Sequence, residues 1–463
     1  MTEKQIRRRR FSNHRESPEC SLPLGFLDQR SNATKNVADS INESDKHGCS
    51  EKQNVSSGEE VQRVDHRIFG KQLDLFSINE ETGVGLVLWH PKGALVRKIL
   101  RDFLEEKHLK RGYKLVSTPH IARGELWKTS GHLEYYQENM YVFKRDGETY
   151  VVKPMNCPFH VQIYKAQPRS YRDLPIRYAE LGTVYRLERS GTLHGLLRVR
   201  GFTQDDAHIF CAREQLEEEI SGILNLTEHI LGTLGFSEYR VELSMRDPKQ
   251  PEKYMGSSEE WDLAQEALAK ALKRKGVPYN EAVGEAVFYG PKIDVKIVDS
   301  LGREWQCSTI QFDFNLPKRF NVTFVGPDGQ EHSVVMIHRT LLGSIERFFG
   351  IMLEHYAGNL PVWLAPVQVR VLPISEGCNQ YAEEVHKTLL NRGVRSELDD
   401  SSSTLGYKIR EAEMHKVSYM VICGEKEVES DTLSIRRHNV GDLGRFSLES
   451  FLCMIEEDVQ KKC

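Results

Sequence analysis

Arginines set between strand-like segments give the first chemical signal. Tyr185-Arg186-Leu187-Glu188 leads into a loop rich in glycine and histidine, residues 190–195. Arg198-Val199-Arg200-Gly201-Phe202-Thr203-Gln204-Asp205-Asp206-Ala207-His208 then follows. An arginine fork can donate two parallel hydrogen bonds to a phosphate and stays charged, so a basic loop between two strands suits an anionic ligand. Taken alone, a surface hairpin with scattered salt bridges is the plainer reading. A second element is Gly343-Ser344-Ile345-Glu346-Arg347-Phe348, an apolar helical run in which Arg347 needs a buried anionic partner; a nucleotide phosphate or a stacked base would serve. A third constellation is of metal-ligand type: Cys157 in Met155-Asn156-Cys157-Pro158, His208 at the end of the second strand, and His338 in Met336-Ile337-His338-Arg339 after another strand. A thiolate with two imidazoles is a zinc donor set, and three protein ligands leave the fourth position for substrate. Spacing does not establish that they converge. Among 17 histidines and nine cysteines, any one of these is more often a satisfied core residue.

Such residues need a scaffold that gathers distant segments. From Val64 the texture becomes ordered, with apolar residues at helical spacing from Pro91 to His108. Gly112 stops that helix, and Arg111-Gly112-Tyr113 to Pro119 reads as a strand closed by proline. Further strands are predicted at 140–144, 149–153, 177–185, 199–206, 239–244, 286–289, 293–298 and 304–314, with helices at 212–235 and 258–275. Short turns such as Lys144 to Glu148 favour antiparallel pairing, so an α+β domain is expected rather than a doubly wound sheet. Beyond Pro361-Val362-Trp363-Leu364-Ala365-Pro366 the pattern alternates: strand Gln368 to Leu372, helix Cys378 to Arg392, strand Val394 to Glu397, helix Tyr407 to His415, strand Tyr419 to Cys423. Strands alternating with helices imply crossovers and a partly parallel sheet. The expected organisation is a disordered segment over 1–62, a first folded domain over 63–362 and an α/β domain over 363–463.

Composition narrows the class. Of 463 residues, 39% are hydrophobic and 28% charged, and no apolar run reaches the length a membrane span needs, so no membrane partner is expected. The nine cysteines are odd in number and lack a Cys-x-x-Cys pair, the usage of a reducing compartment, and a cytoplasmic location is expected. A net charge of -4 means that any RNA contact must be locally basic. Residues 1–62 carry the basic run Arg7 to Arg10, but Glu3, Glu16, Glu19 and Asp28 argue against a transit peptide.

From about residue 63 to 455 the chain resembles the threonyl-tRNA synthetases. Arg111-Gly112-Tyr113 to Pro119, Tyr185-Arg186-Leu187-Glu188 through Asp206, and Gly343-Ser344-Ile345-Glu346-Arg347 are similar to the three class II motifs. Longer matches, including Arg198 to His208, Trp305-Gln306-Cys307-Ser308-Thr309, Met155 to Pro158 and Met336 to Arg339, point to threonine. The resemblance implies a class II antiparallel sheet flanked by helices, followed by an α/β anticodon-binding domain. The activity it implies is an ATP-dependent threonine–tRNA ligase working on threonine and tRNA(Thr) as a homodimer. It also implies that Cys157, His208 and His338 hold one Zn2+, with Gln204, Asp206, Tyr289, Lys292, Gln306 and Cys307 around threonine. On the same footing Arg186, Glu188, Arg198 and Arg347 take ATP with its Mg2+, His132 sits near the tRNA terminus, and Lys408 and Arg410 meet the anticodon.

Two features depart from the family layout. Only about 62 residues precede the core, too few for the editing module of longer members, so seryl-tRNA is expected to escape hydrolysis in cis. Where the family often reads Arg-Asn-Glu before the anticodon helix, this chain has Ser401-Ser402-Ser403. A catalytically silent paralogue that binds tRNA is the competing reading; intact Arg186, Arg198 and Arg347 weigh against it.

Overall fold

The arginine- and histidine-bearing segments lie on one eight-stranded sheet. In this computed structural model the described residues are 64–462, so the expectation for 1–62 lies outside them. The strands are β1 (Lys114–Leu115), β2 (Ile176–Tyr185), β3 (Gly201–Cys211), β4 (Tyr239–Met245), β5 (Asn280–Val283), β6 (Lys292–Val298), β7 (Glu304–Asp313) and β8 (Val335–Ser344). They are ordered β5-β4-β6-β7-β8-β3-β2-β1. The five pairings from β4 to β2 are antiparallel, and only the edge pairs β5 with β4 and β1 with β2 are parallel. This is the α+β arrangement expected from the short turns.

Helices cover the sheet: α1 (His66–Gln72), α2 (Pro91–Leu109), α3 (Cys157–Lys165), α4 (Leu216–Thr233), α5 (Ser258–Lys275) and α6 (Ile345–His355). Helix α2 begins with proline at its first turn, where no amide partner is needed, and buries Val96, Leu100, Phe103 and Leu104 at helical spacing. Each such side chain contributes about 1.5–3 kcal/mol of burial. Helix α5 starts and stops where its sequence says it should: Ser257 and Glu260 cap each other's backbone amides, and Gly276 turns left-handed at φ 70°.

Several elements differ from the sequence pattern for local reasons. Of the stretch 111–119 only β1 pairs as a strand, because Pro119 has no amide to donate and the Thr118 amide donates to the Glu180 carboxylate instead. Residues 286–289 form a loop closed by a single bridge between Val287 and Gly290. A Cβ at Gly290 would sit 1.9 Å from the Phe312 carbonyl oxygen, so this loop lies flat against β7 only because the residue is glycine. The helix expected from 212 starts at Leu216, since the Gln215 side chain caps the Ala212 amide across a tight turn. Gly343 and Ser344 end a strand rather than open a helix; α6 begins at Ile345, and His338 lies inside β8, not after it.

The C-terminal region carries its own five-stranded mixed sheet: β9 (Val369–Pro373), β10 (Ser396–Leu398), β11 (Tyr419–Cys423), β12 (Leu433–Arg437) and β13 (Gly441–Phe446), ordered β10-β9-β11-β12-β13. Strand β9 runs parallel to both neighbours through crossovers by α7 (Asn379–Asn391) and α8 (Leu405–Met414). The final helix α9 (Leu448–Lys461) buries Phe451, Leu452 and Ile455 against the same apolar cluster as Val369 and Val421. Among the described residues no helix is long and apolar enough to cross a membrane.

Candidate metal and nucleotide site

Strand register builds the centre of the site. His208 on β3 and His338 on β8 are direct cross-strand partners, and alternation puts Gln204, Asp206 and His208 on one face of β3. Cys157 opens α3 above that face. The Cys157 sulfur and one nitrogen of each histidine all lie within 4.8 Å of one another. A cavity of 540 Å³ opens over them, bounded also by His132, Arg186, Gln204, Asp206, Tyr289 and Gln311.

Hydrogen-bond accounting fixes the state of both imidazoles. His338 Nε2 lies 2.8 Å from Asp313 Oδ2, so that nitrogen carries the proton and Nδ1 turns a lone pair inward. His160 Nε2 lies 3.1 Å from Glu180 Oε2 and donates to it, and in the neutral ring His160 Nδ1 is then an acceptor. His208 Nδ1, 2.8 Å from that acceptor, must then be the donor, and His208 Nε2 also turns a lone pair inward. Two lone pairs therefore face each other at 3.0 Å with no proton between them, beside a buried thiol. Zn–N bonds of about 2.0–2.1 Å at a tetrahedral angle bring two nitrogens to about 3.3 Å, so the donor set fits a zinc ion in type and spacing. Burial first, then the charges of Asp206 and Asp313, pushes the Cys157 thiol well above its ordinary value, and a cation held there would favour the thiolate instead. Glu180 is itself held by the Thr118 amide and hydroxyl and by buried Lys153, 3.4 Å away.

Around this centre, Asp206 accepts from Asn156 Nδ2 at 3.0 Å, and the Tyr289 hydroxyl donates to Gln311 at 2.6 Å. His132 is bonded through Nδ1 to the Ser130 hydroxyl at 2.7 Å, and burial lowers its pKa to about 4, leaving a neutral ring on the cavity wall. Lys292, Gln306 and Cys307 do not bound this cavity. Lys292 and Gln306 both bind Asp294, at 2.5 and 2.6 Å, together with the wall residue Thr309, so they stand behind the wall. Cys307 is buried in the main apolar core, where desolvation pushes its thiol up to about 12.

The arginines gather at the other end of the site. Arg186 donates to the Pro154 carbonyl at 3.3 Å and its guanidinium lies 5.1 Å over the Phe202 ring. Arg198 pairs with Glu188 at 2.9 Å, so these two side chains engage each other here. The Arg347 side chain donates to the Leu197 carbonyl at 3.0 Å, and among the described residues no carboxylate pairs with it, which leaves its charge for an anionic ligand of the kind expected from its apolar helix. Burial, with Arg186 and Arg198 nearby, lowers the Arg347 pKa, as for a cation short of countercharge. On the opposite face of β3, Asp205 accepts the amides of Leu341, Leu342 and Gly343 at 2.7 to 3.1 Å. It thereby pins the bulge that turns β8 into α6. Burial raises the Asp205 pKa to about 7.

The basic residues of the second sheet divide differently from expectation. Lys408 is 2% exposed and donates to the carbonyls of Pro373 and Asp399, which occupies it inside the fold; Arg410 is exposed. Arg437 pairs with Asp458 at 3.0 Å and His438 is buried. Sequence reading passed over His160, Glu180, Asp313 and Asn156. The i, i+3 spacing of Cys157 and His160 on one helix was a signal for His160; Asp313 and Glu180 carried none, since their partners lie 25 and 20 residues away.

Residues 141–356 match the class II core domain of tRNA synthetases for G, H, P, S and T, and residues 368–458 match the anticodon binding domain. A threonine–tRNA ligase of Acidobacterium capsulatum is 55% identical over 395 residues, 85% of this chain. The chain spans 58% of that relative's length. A crystal structure of the RNA binding domain of threonyl-tRNA synthetase from Cryptosporidium parvum is 39% identical. It superposes with a TM-score of 0.81 over 85% of this chain and 98% of its own. A prolyl-tRNA synthetase from the same organism, 17% identical with a TM-score of 0.67 over 89% of this chain and 80% of its own, shares the fold.

Proposed function

Given that the chain belongs to the threonyl-tRNA synthetase family, we propose that it activates threonine with ATP and transfers it to tRNA(Thr). The observation that carries this reading is the convergence of Cys157, His208 and His338, with the outer nitrogens of the two histidines engaged by His160 and Asp313. These three residues would hold zinc, which as a Lewis acid would take the amino and hydroxyl groups of threonine. Asp206, with Gln204 beside it, completes the pocket by accepting from the amino acid's polar hydrogens.

Activation is an in-line displacement. A threonine carboxylate oxygen bonds to the α-phosphorus of ATP, the bond to the bridging oxygen breaks, and pyrophosphate leaves. Arg186 grips the α-phosphate, and Arg347 and Arg198, freed from Glu188, take the remaining charge with Mg2+. Such a reaction needs positioning and charge neutralisation more than a protein base. A terminal ribose hydroxyl of tRNA then attacks the threonyl carbonyl and AMP departs. Neutral His132 lies on the cavity wall where that hydroxyl would enter. Exposed Arg410 belongs to the anticodon contact, the enzyme works as a homodimer, and the buried thiols Cys211, Cys378 and Cys423 support residence in the reducing cytoplasm.

Pyrophosphate exchange run with threonine, serine, valine and proline tests the proposal. Strong exchange with threonine, weak with serine and negligible with valine and proline is expected. Exchange driven best by proline, or by none of the four, would remove the assignment.

A further inference from the structure

Outside the site described above, one buried imidazole ties three remote segments together. His66, at the start of α1, is fully buried. Its backbone amide and its Nδ1 both reach Glu354 Oε1 on α6, at 3.0 and 2.7 Å, and its Nε2 accepts the Leu196 amide at 3.0 Å. A carboxylate on one side and an N–H on the other admit a single tautomer, neutral and protonated at Nδ1. Glu354 Oε2 is anchored in turn by Arg303 at 2.5 Å. Asp65, His66 and Glu354 offer metal-type donor atoms close together, but both ring nitrogens already have partners and leave no lone pair for an ion.

The loop that His66 holds is the one that carries the nucleotide arginines. Gly195, at φ +49°, precedes the held amide, and a Cβ there would lie 2.0 Å from His66 Nε2, so the approach needs glycine. The next residue, Leu197, offers the carbonyl that accepts from Arg347 Nε at 3.0 Å, and Arg198 follows it. Arg198, Arg303, Arg347 and Glu354 also bound a second cavity, of 510 Å³, next to these contacts.

We propose that His66 is a positioning residue for ATP: its neutral ring locks the 195–198 loop to α6 so that Arg198 and Arg347 are presented in register. This rests on the reading that those two arginines take the phosphates. The test is ATP affinity by calorimetry, together with the KM values for ATP and threonine in pyrophosphate exchange. His66→Phe keeps the ring's volume and its packing near Phe76 while removing both side-chain bonds. The Kd and KM for ATP should rise about tenfold, the loss expected when a buried hydrogen-bond partner is removed, with the KM for threonine and the zinc content unchanged. His66→Gln, able to reach one partner, should fall between, and carries the test if His66→Phe is insoluble. Phe69→Leu, a buried change in the same helix, should lower thermal stability without altering either KM. Unchanged ATP affinity in the His66 variants, or equal rises in both KM values, would overturn the proposal. Weakened ATP binding in a protein that exchanges with no threonine would uphold it and remove the assigned activity instead.

Discussion

Replacing Asp313 with asparagine separates metal binding from folding with one atom. Asp313 Oδ1 accepts the amides of Asn315 and Leu316 at 2.7 and 2.9 Å, capping the turn that follows β7, and Oδ2 holds His338 Nε2 at 2.8 Å. In Asp313→Asn the two capping amides require the carbonyl oxygen at the Oδ1 position, so the amide NH2 is forced to face His338. Two donors cannot share that contact. His338 must give up its Nε2 proton and carry it on Nδ1, which removes the lone pair that pointed at Cys157 and His208. Loss of an orienting partner of this kind weakens metal binding about 10- to 100-fold, or about 1.4–2.7 kcal/mol. The cap survives, and the proton moved to His338 Nδ1 can be donated to His208 Nε2 at 3.0 Å, so the metal-free protein should be no less stable than the parent. Competition of the metal-free protein with a chromophoric chelator, alongside urea unfolding, reads both quantities. An Asp313→Asn protein that binds zinc as tightly as the parent would refute the tautomer argument, whatever its activity.

Other expectations follow from the same geometry. Arg186→Ala should slow threonine-dependent pyrophosphate exchange by about 10²- to 10³-fold, because a preorganised donor to the developing charge is lost; exchange at the parental rate would count against its role. Valine lacks the hydroxyl and leaves Asp206 and the metal position unpaired, so discrimination of about 10⁴ to 10⁵ is expected from kcat/KM ratios. Serine, short of one methyl, should be rejected only about 10- to 200-fold. Stability should fall as the medium is acidified below pH 6.5, in part through His108, which is 2% exposed. Burial, then the charge of Arg339, holds its pKa near 2 against an ordinary 6.5. The unfolded chain therefore takes up a proton below pH 6.5 that the folded one refuses, which costs the fold about 2 kcal/mol at pH 5. His108→Leu should shrink the difference in urea midpoint between pH 7.5 and pH 5, and an undiminished difference would exclude His108 as a cause.

What is local or strictly periodic could be read directly from the residues. Helix α5 was legible to the residue because its capping pair and its terminal glycine are near neighbours in the chain. The long strands were legible from alternation, whereas Cys157, His208 and His338 stood out as a set only through the family resemblance, since their ligand chemistry alone left each of them readable as a core residue. Tertiary structure decided which of these meet. His208 and His338 converge because strands 130 residues apart pair in a register that no local signal encodes. Asp313, Glu180 and His160 then settle which imidazole nitrogen is free, through hydrogen bonds formed only after the sheet is assembled. The fate of Lys408 was invisible for the same reason: an amphipathic stem reads as surface in sequence, and only the packing of α8 against β9 aims its ammonium at two carbonyls inside. Periodicity reports which face of an element is apolar, whereas hydrogen-bond partners are chosen by distance in space, and that distance exists only in the fold.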